Sequence, residues 1–398
     1  MSWKETYNAW KNYQALEPDL KDELAKLEGN DEALEDAFYA PMEFGTAGMR
    51  GVIGAGINRM NVYTVRQATE GLASLMDTLD EETKRRGVAI SYDSRHKSQE
   101  FAFESARVLG AHGIPSFVFE SLRPTPELSF TVRHLHAYAG IMITASHNPK
   151  QYNGYKIYGE DGAQMPPKES DLITKYIREV DDIFAVEAAD KDALINDGTL
   201  KVIGSEIDKE YLAEVKKVTV DPELVAEEGK TMKLIFTPLH GTGAMLGEKA
   251  LRQAGFEDFT MVPEQATPDA DFSTVEHPNP EFPEAFDLAI KLGKRDDADL
   301  LIAVDPDADR LGAAVRQPDG DYKLLTGNQI AAIMLNYILT ARKNAGTLPE
   351  NGALVKSIVS SEFAAKIAKD FGCDTINVLT GFKFIAEQIQ HFEETNEH

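Results

Sequence analysis

The sequence predicts an α/β protein made of tandem, similar mixed α/β domains, and two observations carry that prediction. The first is repetition. Three segments share one layout: a short β-branched run, a polar turn, an amphipathic stretch, then glycine. They are "GVAISYDSRHKSQEFAFESARVLGAHGI" from Gly87, "KLIFTPLHGTGAMLGEKALRQAGF" from Lys233 and "ALVKSIVSSEFAAKIAKDFGC" from Ala353. Each run reads as a buried strand, and each amphipathic stretch as a helix closed by a glycine C-cap. Strand-then-helix units repeated in this way build parallel α/β sheets. The second observation is size and composition. At 398 residues, with 42% apolar and 27% charged residues, the chain suits two or three soluble globular domains.

Taken in order, the first 40 residues are charged and helical in pattern, an N-terminal cap rather than a domain. The unit from Gly87 follows. An acidic stretch containing Gly and Pro, Pro166 to Gly204, then precedes the helical "EIDKEYLAEVKK" and the unit from Lys233. The turn "QPDGDYK" separates an acidic loop from "TGNQIAAIMLNYILTARK", which reads as a helix opening a new unit. The expected domains are therefore 1–205, 206–325 and 326–398.

Lys and Arg number 41 against 66 Asp and Glu, a net charge of −25. Such a surface repels phosphate backbones and excludes nucleic acid as a partner. A small anionic substrate must instead meet a local cationic pocket. The single cysteine, Cys373, rules out an intrachain disulfide and suits a reducing compartment. The opening "MSWKETYNAWKNYQ" lacks the apolar core of a signal peptide, and no run approaches the roughly 18 apolar residues of a membrane span. A cytoplasmic setting without membrane contact is expected.

In "GIMITASHNPKQYNGYK", Gly140 to Lys156, an apolar run breaks into a serine beside a histidine. A serine hydrolase needs a base within hydrogen-bond reach and an oxyanion hole. Neighbours on an extended chain project to opposite sides, so His147 is expected to be poorly placed to deprotonate Ser146. The G-x-S-x-G elbow is also missing; a polar turn after a strand is the plain alternative. In "DLLIAVDPDADRLG" an apolar run leads into Asp305, Asp307 and Asp309. Pro306 excludes a helix interior, so the carboxylates can converge on one hard cation such as Mg²⁺. An EF-hand is excluded, because its sixth and twelfth positions are Arg310 and Arg316. In "EFGTAGMRGVIGAGINRMN", Glu43 to Asn61, closely spaced glycines would let backbone amides approach an anion, with Arg50 adding a charged fork; a plain irregular connector is the alternative. "TPLHGTG", Thr237 to Gly243, is a weaker case in which His240 reads as a structural hydrogen-bonder. A serine without a partnered base, joined to a three-carboxylate metal loop, suits phosphoryl transfer better than acyl transfer. Ser146 would carry the phosphate, and the metal would bridge it to the aspartates.

These motifs together resemble the α-D-phosphohexomutase family, and most closely its long bacterial α-phosphoglucomutases. "TASHNP" with "NGYK" resembles the phosphoserine loop, "DPDADR" the magnesium loop and "FGTAGMRG" the N-terminal active-site loop. "LTGFKFIAEQI", Leu379 to Ile389, resembles the sugar-phosphate loop of the third domain. The resemblance implies Ser146 as the phosphorylated serine, with Ser146, Asp305, Asp307 and Asp309 around Mg²⁺. It places His147, Lys156 and Arg50 in the catalytic set, Lys156 as an acid/base group. It assigns Arg310, Thr380, Gly381 and Lys383 to a sugar phosphate. The implied reaction is glucose 1-phosphate ⇌ glucose 6-phosphate through glucose 1,6-bisphosphate, in glucose metabolism. Alternatives are a phosphomannomutase or phosphopentomutase of the same family, an aspartate-nucleophile phosphatase, and a non-catalytic sugar-phosphate binder. The family continues beyond the third-domain loop to a sugar-reading segment and a fourth, phosphate-clamping domain. By that pattern the third domain is incomplete and the fourth absent, so the chain is expected to have little activity and to expose apolar surface near its end.

Overall fold

The computed structural model describes residues 2–45 and 48–398; Met1 and the Thr46–Ala47 step of the glycine-rich segment lie outside the described residues. The chain divides into two units, Met1–Ile207 with Asp269–Glu276, and Asp208–Pro268 with His277–His398.

The first unit is built on β1 (Gly48–Val52), β2 (Val88–Tyr92), β3 (Ser116–Phe119), β4 (Ala139–Ile143), β5 (Tyr152–Tyr158) and β6 (Leu200–Ile203). They form one sheet in the order β1-β5-β4-β2-β3-β6. β4, β2, β3 and β6 run parallel; β5 is antiparallel to both β4 and β1. Every residue of β2 and β4 is buried, which is why both read as unbroken apolar runs. On one face Val88, Ile90, Ile141 and Ile143 pack with Leu72, Met76, Phe101 and Leu109 from the helices Val62–Asp77 and Ser98–Ala111. Ala89 and Met142 turn to the other face, against Leu128 and Val132 of the helix Thr125–His134. The strand period of two thus serves two helical layers.

The helices Trp3–Asn12, Pro18–Leu27 and Asp31–Phe38 join the first of those cores. Trp10 meets Phe38 and Tyr63 edge-on, at 5.7 and 5.5 Å between centroids. They dictate two glycines of the glycine-rich segment. A Cβ at Gly54 would strike the Glu23 carboxylate, and one at Gly56 the Ala37 carbonyl. The Ala55 amide donates to Glu23 Oε2 at 3.0 Å. These glycines therefore admit the N-terminal helices, where the sequence had suggested an anion-binding loop.

The second unit contains β7 (Leu234–Thr237), β8 (Phe259–Met261), β9 (Leu300–Val304), β10 (Leu311–Arg316) and β11 (Tyr322–Leu325), ordered β11-β10-β9-β7-β8. β8, β7 and β9 are parallel and the last two strands antiparallel. Read in the same direction, this repeats the order β1-β5-β4-β2-β3 of the first unit. A capping box between Thr326 and Gln329 opens the helix Gly327–Asn344. Beyond it, β12 (Ala353–Ser357) and β13 (Asp374–Val378) pair in parallel around the helix Glu362–Asp370. Ile333, Met334, Phe363, Leu379 and Phe382 are exposed there. No helix among the described residues is long and apolar enough to cross a membrane.

Candidate active-site loops

Both chemistry-bearing loops occupy the same topological place, where a parallel strand hands over to its antiparallel neighbour. In the first unit that loop joins β4 to β5. The Thr144 hydroxyl donates to Asp93 Oδ2 at 2.6 Å and accepts the Ser146 amide at 2.8 Å. Ser146 is 4% exposed and has φ +52°, a left-handed conformation rarely adopted by residues other than Gly, Asn and Asp. Its Oγ lies 3.2 Å from His147 Nδ1. The expectation that His147 points away from Ser146 is thus overturned. Alternation holds for extended backbone, and the positive φ bends the chain so that adjacent side chains meet. Arg50 Nη1 donates to Asn148 Oδ1 at 3.1 Å, tying β1 to this loop. The register opposes Arg50 to Gly154 and Gly48 to Lys156, so Arg50 and Lys156 are diagonal neighbours on one face of the sheet.

Two residues that sequence reasoning passed over hold this loop. Asp93 and Arg95 follow β2 in "YDSR", and both side chains are fully buried. Asp93 accepts from the Arg95 amide and the Ser98 hydroxyl at 2.9 and 2.8 Å. Burial pushes its carboxyl above the ordinary range, while the Arg95 charge pulls the other way. The available signal was position: polar residues at the carboxyl end of a parallel strand are where α/β folds place sites.

In the second unit, ligand oxygens of Asp305, Asp307 and Asp309 all lie within 4.8 Å of one another. Asp305 and Asp307 are 0% exposed. Such crowding of anions fits one hard cation. The Arg310 amide donates to Asp305 Oδ1 at 3.0 Å, and its guanidinium pairs with Glu281 at 3.4 Å. The "TPLHGTG" loop underlies the acidic turn. A Cβ at Gly241 would strike Pro306, and the Thr242 amide donates to the Pro306 carbonyl at 2.8 Å. The buried Thr242 hydroxyl has no hydrogen-bond partner among the described residues, an orphan that a hydrated cation nearby would satisfy. His240 is buried, its Nδ1 3.1 Å from the Thr267 carbonyl. Thr380 and Gly381 precede the helix Phe382–Thr395, with Gly381 at φ +134°. Lys383 is mostly covered, its ammonium 4.8 Å from the Phe384 ring centre.

A surface depression of about 540 Å³ in the first unit lies elsewhere. Its lining of Glu70, Glu179, Asp181, Asp182 and Glu187 would repel a phosphorylated sugar.

With the fold and the two loops in place, the comparisons with known proteins give the family. Residues 41–183, 209–320 and 326–395 match the phosphoglucomutase/phosphomannomutase alpha/beta/alpha domains I, II and III. The chain belongs to that family. A phosphoglucomutase of Staphylococcus saprophyticus is 39% identical over 354 residues, covering 89% of this chain and 62% of the relative. The Staphylococcus aureus (strain USA300) phosphoglucomutase is 38% identical over 360 residues, covering 90% and 62%. The chain therefore spans less than two thirds of these relatives. A solved phosphoglucomutase/phosphomannomutase family protein from Burkholderia thailandensis shares the fold, with a TM-score of 0.67 at 19% identity over 87% of this chain and 68% of that one.

Proposed function

We propose that the chain carries phosphoglucomutase chemistry: Ser146 bears a phosphoryl group and exchanges it with glucose 1-phosphate and glucose 6-phosphate through glucose 1,6-bisphosphate. The observation that carries this reading is the Ser146 loop, a nucleophilic oxygen 3.2 Å from an imidazole nitrogen and tied to Arg50 through Asn148. The phosphorus–Oγ bond of phosphoserine breaks as a bond forms to the free sugar hydroxyl, whose proton leaves to a base. The reverse transfer returns the other phosphate of the bisphosphate to Ser146. His147 handles the Oγ proton, and Lys156 and Arg50 supply positive charge in an otherwise anionic protein. Asp305, Asp307 and Asp309 would hold Mg²⁺, which neutralises charge on the phosphoryl oxygens. Arg310, Thr380, Gly381 and Lys383 bind the sugar phosphate. The phosphoglucomutase relatives favour glucose over mannose or pentose phosphates.

Incubation with glucose 1,6-bisphosphate followed by intact-mass and peptide analysis tests the reading. One phosphate on Ser146 is expected, and none on Ser146→Ala. A stable phosphate on another residue, or none, rejects it. Lys156→Arg keeps the charge while raising the pKa beyond use; an unchanged rate in that variant removes Lys156 from proton transfer.

A further inference from the structure

Arg95 has surroundings unlike those of any salt-bridging arginine on the surface. Its side chain is 0% exposed, as is that of Asp93, whose Oδ2 lies 3.2 Å from Arg95 Nε. Nη2 donates to the carbonyls of Ser146 and Asn148, each at 2.5 Å. Nη1 donates to those of Pro149 and Tyr152, at 2.9 and 3.1 Å. One planar guanidinium thus gathers carbonyls from both ends of the loop between β4 and β5. Above it sits Phe272, 2% exposed and with its ring centre 5.0 Å from Arg95 Cζ. Asp93 is the common anchor, because it also accepts the hydroxyl of Thr144, the residue that receives the Ser146 amide.

We propose that Arg95 is the positioning residue of the phosphoryl carrier: its guanidinium holds the Ser146 loop in the bend that brings Ser146 Oγ to His147. The proposal rests on Ser146 being that carrier. The chemistry singles out arginine. Of the four carbonyls, that of Pro149 also accepts the Tyr152 amide at 3.1 Å; inward-facing carbonyls that lose a donor are costly to bury, and the left-handed Ser146 conformation persists only if its surroundings impose it. Lysine offers a point charge without the planar fork and cannot span carbonyls at both ends of the loop. Arg95 acts through the carbonyls of the loop, so its effect must appear in loop order and in the rate of transfer, with little effect on affinity.

The test uses the full 398-residue chain and two variants, Arg95→Lys and Phe272→Leu. Amide hydrogen exchange is read over residues 144–152 with β2 as internal reference, and single-turnover phosphoryl uptake from glucose 1,6-bisphosphate is read alongside. For Arg95→Lys we expect exchange in the loop to rise about 10-fold or more, with β2 unchanged. The maximal uptake rate should fall on the order of 100-fold, while half-saturation moves by less than about 3-fold. Phe272→Leu should shift the same observables the same way by less, and it decides the matter if Arg95→Lys fails to fold. Loop exchange like that of wild type in the folded variants overturns the proposal; so does raised exchange with undiminished uptake. Absence of uptake by the wild type rejects Ser146 as carrier, and loop exchange still decides whether Arg95 sets the loop.

Discussion

Ser146 occupies its left-handed conformation at a cost of about 1 kcal/mol that glycine would not bear. We therefore expect Ser146→Gly to melt higher than Ser146→Ala, with both unable to accept phosphate; a lower melting temperature for the glycine variant would show that φ +52° is unstrained. The acidic cluster makes a second residue-level prediction. Oxygens of three carboxylates within 4.8 Å repel one another until a cation neutralises them. Mg²⁺ should raise the melting temperature of the chain, as ligand linkage requires, and raise it much less in Asp307→Asn. That variant without Mg²⁺ should be no less stable than wild type, and differential scanning calorimetry with and without chelator checks both. The aspartate loop was legible because its spacing of two and Pro306 restrict the backbone within one short segment. The Ser146–His147 contact was not, because it depends on one positive φ imposed by residues far away in sequence. Arg95 was marked only by its place after a parallel strand, and its role was not, because four of its partners are carbonyls, which any sequence supplies.

At the scale of elements, strand order was open to reading only in part. Three strand–turn–helix segments announced parallel pairing, and β2 with β3, β7 with β8, and β12 with β13 deliver it. The antiparallel returns β5 and β10 carried no comparable signal, since "NGYKIY" and "LGAAVR" read equally well as either direction. Gly241 allows one loop to support the other; Gly241→Ala should destabilise the second unit by roughly 1–3 kcal/mol through overpacking on Pro306, seen as a lower urea midpoint. Two helices of the first unit are joined by charge. His112, at the end of Ser98–Ala111, meets Glu70 and Asp77 of Val62–Asp77 at 3.0 and 2.6 Å. The hydrogen bond to Glu70, then that to Asp77, raises its pKa to about 9 against the pull of burial. A raised folded-state pKa means stability fully present below about pH 6.5 and lost as pH climbs through 9. Wild type should lose about 1–2 kcal/mol more than His112→Gln over that range, after allowance for solvent screening. Parallel pH profiles would refute it.

For the whole molecule, packing is uneven along the chain. The first unit has an extensive core around Trp10, Leu72 and Ile90, while among the described residues the last stretch of the second gathers Leu339, Ala368 and Cys373 with partly buried neighbours. Both tryptophans, Trp3 and Trp10, lie in the first unit and the sole cysteine, Cys373, in the second. Urea should therefore expose Cys373 to thiol reagents at a lower concentration than the one that shifts tryptophan fluorescence, and coincident midpoints would mean one cooperative transition instead. The tandem α/β architecture was legible in the repeats, but the course of the chain between units was not. Residues 269–276 belong to the first unit although the chain on either side belongs to the second, and this short excursion carries the Phe272 that covers Arg95. The boundary between the units is consequently not a single point in the sequence. A gene fragment ending at residue 207 would encode the Ser146 loop without the phenylalanine over its arginine, and a small insertion near residue 270 would register at a serine more than a hundred positions upstream.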